Sequence, residues 1–170
     1  MNELSILMHL LSKKADIFQM GATEEEILDA LNIKHKNKSF VFQELIKYLS
    51  HHVKPLGLQV RFNPLDSHWF LAFDHDVSDL ISANPFADQP RLGATLFYTL
   101  ACCFNNSGAG KIVEIRNLRK KKFILEDLKE LEKSGYVIID KLNGEVRLTP
   151  LIGYKLDVNA LFVKVALRLK

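Results

Sequence analysis

Cysteine is scarce in this 170-residue chain: there are two, Cys102 and Cys103, and they are adjacent. Neighbouring cysteines rarely pair, and neither stands at CxxC spacing, so neither a disulfide framework nor a thiolate zinc site is indicated. The simplest reading is a pair of small buried apolar residues in a reducing compartment. Long apolar runs are also lacking. None reaches the roughly 18–20 residues that span a bilayer, which excludes a simple membrane-spanning helix. Glu3 stands ahead of Lys13 and Lys14. A secretory signal has the opposite charge order and a small-residue cleavage site. The N-terminus therefore reads as a folded helix and the protein as cytoplasmic.

Catalytic patterns are missing as well. The six histidines form no HExxH, and there is no GxSxG. The stretch Ser107–Lys111, SGAGK, falls short of a phosphate loop. Asn105 stands where a first glycine is needed, Ile112 where Ser or Thr is needed, and an apolar helix precedes it in place of a strand. Asp74, His75 and Asp76 read as the cap of a linking helix rather than as an acid–base set. The expectation is a protein that is not an enzyme, with no cofactor, metal or small-molecule substrate.

What is present is apolar and patterned. Apolar residues make up 48% of the chain, with eleven Phe, enough for one medium or two small cores. Charge is unevenly placed. Residues 1–90 carry eight Lys/Arg against twelve Asp/Glu, and residues 91–170 carry fifteen against eight. An acidic half followed by a basic half suggests two domains with different surfaces.

Glu3 to Lys14 has Leu4, Leu7, Met8 and Leu11 at helical spacing. Thr23 and Glu26 form a capping-box pair ahead of a short helix to Leu31. A third helix runs from about Asn37 or Ser39 to Ser50, with Phe42, Leu45, Ile46 and Leu49 inward. Leu58, Val60 and Phe62 alternate with polar residues, Asn63–Ser67 makes a turn, and His68–Phe73 returns. Three helices and a hairpin are the parts of a winged helix. The aromatic residues Phe40, Phe42, Tyr48, Trp69, Phe70 and Phe73 read as core and dimer surface. Asp74–Ile81 reads as a linking helix, and the prolines of ANPFADQP mark a boundary.

The plan then repeats. Leu92–Phe104 is a helix, NNSGAG a loop and Lys111–Asn117 a short helix. A helix follows with a core stripe of Ile124, Leu125, Leu128 and Leu131, ending at Gly135. Asn143-Gly144 suits a type I′ turn between two strands. Val158–Leu169 is amphipathic at helical spacing. The expected fold is α+β: two tandem winged-helix domains, each of three helices and a β-hairpin wing, with a C-terminal amphipathic helix. The expected division is 1–83, a linker at 84–91, and 92–170.

The sharpest charge feature is Arg119-Lys120-Lys121-Lys122, placed at the start of the second domain's third helix. Cations there oppose the helix dipole unless an anion or acidic partner docks. With Lys111, Arg116 and the wing residues Lys141 and Arg147 they would form a basic face for a partner or for DNA. Against groove reading, that helix exposes Glu126, Asp127, Glu130 and Glu132.

Three stretches carry a family likeness: LGLQVRFNPLDSHWFLAF, QPRLGATLFYTLACCF, and KIVEIRN followed by LEDLKELEKSGYV. Together with the order of elements they resemble the segregation and condensation protein B family over about residues 3–149. The family's glycine-rich second wing is replaced here by KLNGEVRLTP, and the run RKKK and the amphipathic tail are additions. The resemblance implies a non-enzymatic scaffold that dimerises through its first domain. It also implies a kleisin subunit and an Smc ATPase as partners, and a nucleoid-associated role in chromosome condensation and segregation. The alternative is a winged-helix DNA-binding transcription regulator using the basic second domain.

Overall fold

The computed structural model describes residues 3–34, 36–74 and 86–158. The chain divides into two compact units, Met1–Asn84 and Pro85–Lys170. Among the described residues there are seven α-helices and two three-stranded antiparallel sheets, a mixed α+β arrangement. None of the described helices is long and apolar enough to cross a membrane.

In the first unit, helix α1 (Glu3–Ser12) buries Leu7 and Leu11. It stops before Lys14, the expected end, because Lys14 bridges to Met20 instead. Asp16 Oδ1 accepts from the N–H groups of Phe18 and Gln19 at 2.6 and 2.8 Å, tightening the intervening turn. Gly21 then sits at φ +77°, where an added Cβ would lie 1.9 Å from the Trp69 carbonyl oxygen. Only glycine fits there. The chain emerges as a two-residue strand, β1 (Ala22–Thr23), which periodicity had left unassigned.

Helix α2 (Glu24–Ala30) carries the expected capping box. Glu26 N–H donates to Thr23 Oγ1 at 3.2 Å and Thr23 N–H donates to Glu26 Oε2 at 2.8 Å. Helix α3 (Lys38–Val53) runs past Ser50 and passes into a single 3₁₀ turn containing Pro55. It buries Phe42, Ile46, Leu49 and Val53, leaving Leu45 half-buried. Strands β2 (Leu58–Asn63) and β3 (His68–Phe73) form the expected hairpin, but the alternation of β2 fails at its end: Phe62 is exposed, facing Trp69 across the hairpin, and Asn63 is buried, its side chain accepting the Leu65 N–H. Of the linking helix expected over 74–81, all but Asp74 lies outside the described residues.

The second unit opens with α4 (Pro90–Asn105). It begins two residues before the expected Leu92, taking Pro90 and Arg91 from the linker. Proline suits a first helical turn because its missing N–H would have no helical partner there. The segment expected as loop contains a strand, β4 (Ala109–Lys111), leading into α5 (Ile112–Arg119). Gly110 packs on the cysteines: an added Cβ would meet Cys102 Cβ at 3.0 Å and Cys103 Sγ at 3.2 Å. The second glycine of SGAGK is thus a packing residue.

Helix α6 (Ile124–Lys133) ends ahead of Gly135 at φ +80°. Strands β5 (Val137–Asp140) and β6 (Glu145–Leu148) enclose a four-residue turn, Lys141–Gly144, wider than the expected two-residue turn. Asp140 widens it: its Oδ1 accepts from the N–H groups of Leu142 and Asn143 at 3.0 and 3.2 Å. A short helix α7 (Leu151–Lys155) follows, and Val158 is buried. The remainder of the expected C-terminal helix lies outside the described residues.

The sheets share one order. In each, the short strand pairs with the last strand, which pairs with the middle one: β1-β3-β2 and β4-β6-β5. Both units therefore read helix, short strand, helix, helix, hairpin.

Candidate partner-binding surface

Asp127 was expected on the solvent face of α6, but it is 2% exposed. Thr95 Oγ1 donates to its Oδ2 at 2.8 Å. Arg91 Nε lies 2.8 Å from its Oδ1 as an ion pair, without hydrogen-bond alignment. A buried carboxylate needs such partners, and they come from α4, which a reading of α6 alone does not reveal. Leu125, expected in the core stripe, is instead 43% exposed. The buried stripe is Ile124, Asp127, Leu128 and Leu131. Glu132 is half-buried and accepts the Ile139 N–H at 2.9 Å.

The basic run is divided between two helices. Arg119 is the last residue of α5, and Lys120 follows as its left-handed cap at φ +51°. The Lys120 N–H donates to the Arg116 carbonyl at 2.9 Å. Arg116 is exposed, whereas Arg119 is half-buried with its guanidinium carbon 6.0 Å from the centre of the Tyr98 ring. Lys121, Lys122 and Phe123, all exposed, stand between that cap and α6. The expectation that these cations oppose a helix dipole is corrected for Arg119 and Lys120, which join Arg116 at the end of α5. They lie at a helix C-terminus, where positive charge is favourable.

Lys141 and Arg147 lie elsewhere in the unit. Lys141 is in the hairpin turn, and that turn meets the other end of α5, where the Ile112 N–H donates to the Gly144 carbonyl at 3.0 Å. Eight residues of α-helix, about 12 Å, separate that end from Arg119. Arg147 is exposed on β6, between Ala109 of β4 and Ile138 of β5. Asn143 holds the Asp140 carboxyl below its ordinary range through hydrogen bonds, and Arg147 adds a smaller electrostatic contribution.

Between α5, α6 and the hairpin turn is a groove of about 430 Å³, lined by Ile112, Leu125, Lys129, Ile139, Lys141 and Gly144. Sequence reasoning missed it, because Leu125 fits a core stripe by spacing. The first unit has a larger cleft, about 800 Å³, with Glu24, Glu25, Asp29, Phe62 and Trp69 among its walls. Trp69 is half-buried there, its ring centre 5.3 Å from that of buried Phe42 and 5.0 Å from that of exposed Phe62. Phe70 is buried, and Phe40, Tyr48 and Phe73 are exposed. Among the described residues, no three His, Cys, Asp or Glu side chains are grouped to hold a metal ion.

No family model matches the chain. No curated protein matches it either. Among solved structures, it is similar to a conserved hypothetical protein from Chlorobium tepidum, at 12% identity over 85% of this chain and 88% of that one, with a TM-score of 0.40.

Proposed function

We propose that the chain is a non-enzymatic scaffold of two tandem winged-helix domains. It binds a kleisin subunit and supports an Smc-type ATPase in chromosome condensation and segregation. One observation carries the architectural part: both units repeat the same element order, and both sheets repeat the same strand order. A short strand, three helices and a hairpin whose last strand is central make up the winged-helix plan. The family likeness of three stretches, the first hairpin and the helices of the second unit, supplies the partner. In this role the first domain forms a homodimer, and the molecule is cytoplasmic and associated with the nucleoid.

The test is affinity purification of the tagged full chain from its native cells. Recovery of a kleisin and an Smc-type ATPase is the expected result. Recovery of neither, together with a monomer by sedimentation across micromolar concentrations, would remove this function.

The cluster Arg116–Lys122 favours a second function, DNA binding by a transcription regulator. That predicts a steep fall in duplex affinity with salt, a log–log slope of about −0.9 per neutralised phosphate. It also predicts loss of binding when Lys120, Lys121 and Lys122 are neutralised. The buried Asp127 removes one carboxylate from the face that would meet phosphates, while Glu126 and Glu130 remain exposed on it.

A further inference from the structure

We propose that the groove between α5, α6 and the β5–β6 turn is a docking site for an acidic amphipathic segment of a partner protein. Docking here deepens the scaffold function, which it presupposes in taking the partner to be a protein. The first support is the one apolar residue that α6 turns outward, Leu125. The inward stripe of α6 is complete without Leu125, which is 43% exposed beside half-buried Ile112 and Ile139. Leu142, next to Lys141 in the adjoining turn, is 97% exposed. Apolar side chains gathered in one concave groove favour contact with a partner's apolar side chains there.

The second support is the charge at the rim. Lys129 stands one helical turn beyond Leu125, and Lys141 stands on the hairpin wall. Among the described residues, neither lysine has an ion-pair partner. Of the nearby acids, Glu132 accepts the Ile139 N–H at 2.9 Å and Asp140 Oδ2 accepts from Asn143 Nδ2 at 2.8 Å, while exposed Glu126 and Glu130 on α6 are not part of the groove lining. The rim therefore presents positive charge over an apolar floor. A segment with apolar side chains on one face and carboxylates at its edges matches both properties. A nucleic acid would meet the lysines and leave the floor unused. At about 430 Å³ the groove takes a few side chains, not a folded domain.

The test uses the full chain and a fluorescein-labelled peptide of about ten residues. It carries Leu and Ile at i, i+3, i+4 and i+7 and Glu elsewhere, the spacing of an amphipathic helix. Anisotropy titration is expected to show binding that weakens with salt. It should fall at least about tenfold in Leu125→Glu and in the pair Lys129→Glu, Lys141→Glu. Leu118→Glu, at an exposed position on α5 that is not part of the groove lining, should bind like the parent chain. Circular dichroism checks that each variant is folded. Absence of binding, or equal binding by the groove variants, would overturn the assignment.

The same variants then enter the kleisin purification. Recovery by the parent chain and loss in the groove variants supports both the scaffold and the groove. No recovery by the parent chain, with the peptide result intact, removes the kleisin and keeps the groove. Undiminished kleisin recovery with no peptide binding removes the groove and keeps the kleisin.

Discussion

Arg91, in the first turn of α4, holds its Nε 2.8 Å from Asp127 Oδ1, a carboxylate at a core position of α6. The pair joins two helices far apart in sequence, with Thr95 completing the carboxylate's partners. Removing one member of a buried pair leaves the other uncompensated. The arginine side chain is 59% exposed, so solvent screening lowers its contribution. Arg91→Ala should destabilise the second unit by about 1–2 kcal/mol in urea unfolding. A double-mutant cycle with Thr95→Val should show non-additivity, because both act on one carboxylate.

Gly21 and Gly144 both have positive φ, yet their surroundings differ. Around Gly21 an added Cβ meets the Trp69 carbonyl oxygen at 1.9 Å, whereas around Gly144 nothing lies within 4 Å. Gly144→Ala should therefore cost only the left-handed strain, about 1–2 kcal/mol. Gly21→Ala adds a backbone clash that the β1–β3 pairing cannot relieve, and should cost about 2–4 kcal/mol. Thermal unfolding of the two variants checks the order.

Asp140 titrates low because the folded turn hydrogen-bonds its charged form, chiefly through Asn143. A depressed folded value means stability that is present above the unfolded carboxyl range, near about 3.9, and lost as pH falls through the folded value. Asn143→Ala should move the Asp140 titration upward. Carboxyl NMR shifts followed against pH would show no movement if the turn contacts have no effect.

Burial pushes the Cys103 thiol up to about 11, despite a hydrogen bond with the Gly110 backbone that acts the other way. Burial also raises Cys102. Little thiolate is present near neutral pH, so a disulfide reagent should label the native chain slowly and the urea-unfolded chain fast. Stability should decline as pH rises from the ordinary thiol value of 9.0 toward about 11, where only the unfolded chain ionises. Rapid labelling of the native protein would contradict this burial.

The helices and hairpins were legible because each displays its own periodicity, and the Thr23–Glu26 cap because its two residues are local. Strands β1 and β4 were not legible. Two or three residues cannot show alternation, and each becomes a strand only through a partner at the far end of its unit. The basic cluster was visible as composition, but its attachment was not. Lys120 adopts a left-handed conformation that ends α5, and no periodicity announces it. Leu125 and Asp127 exchanged expected places for one reason. Spacing ranks an apolar residue inward over an acid, and Arg91 with Thr95 reverses that ranking from another helix.

The pairing of β1 with β3 also bears on local opening. The pairing of Ala22 with Trp69 closes a loop that contains α2, α3 and β2. Closing that long loop has its entropic cost in full before two short rungs of sheet give anything back. The segment leading into β1 should therefore open more readily than β2 and β3, and its amide protons should exchange faster than theirs. Gly21, pressed against the Trp69 backbone, is the latch on which that closure turns.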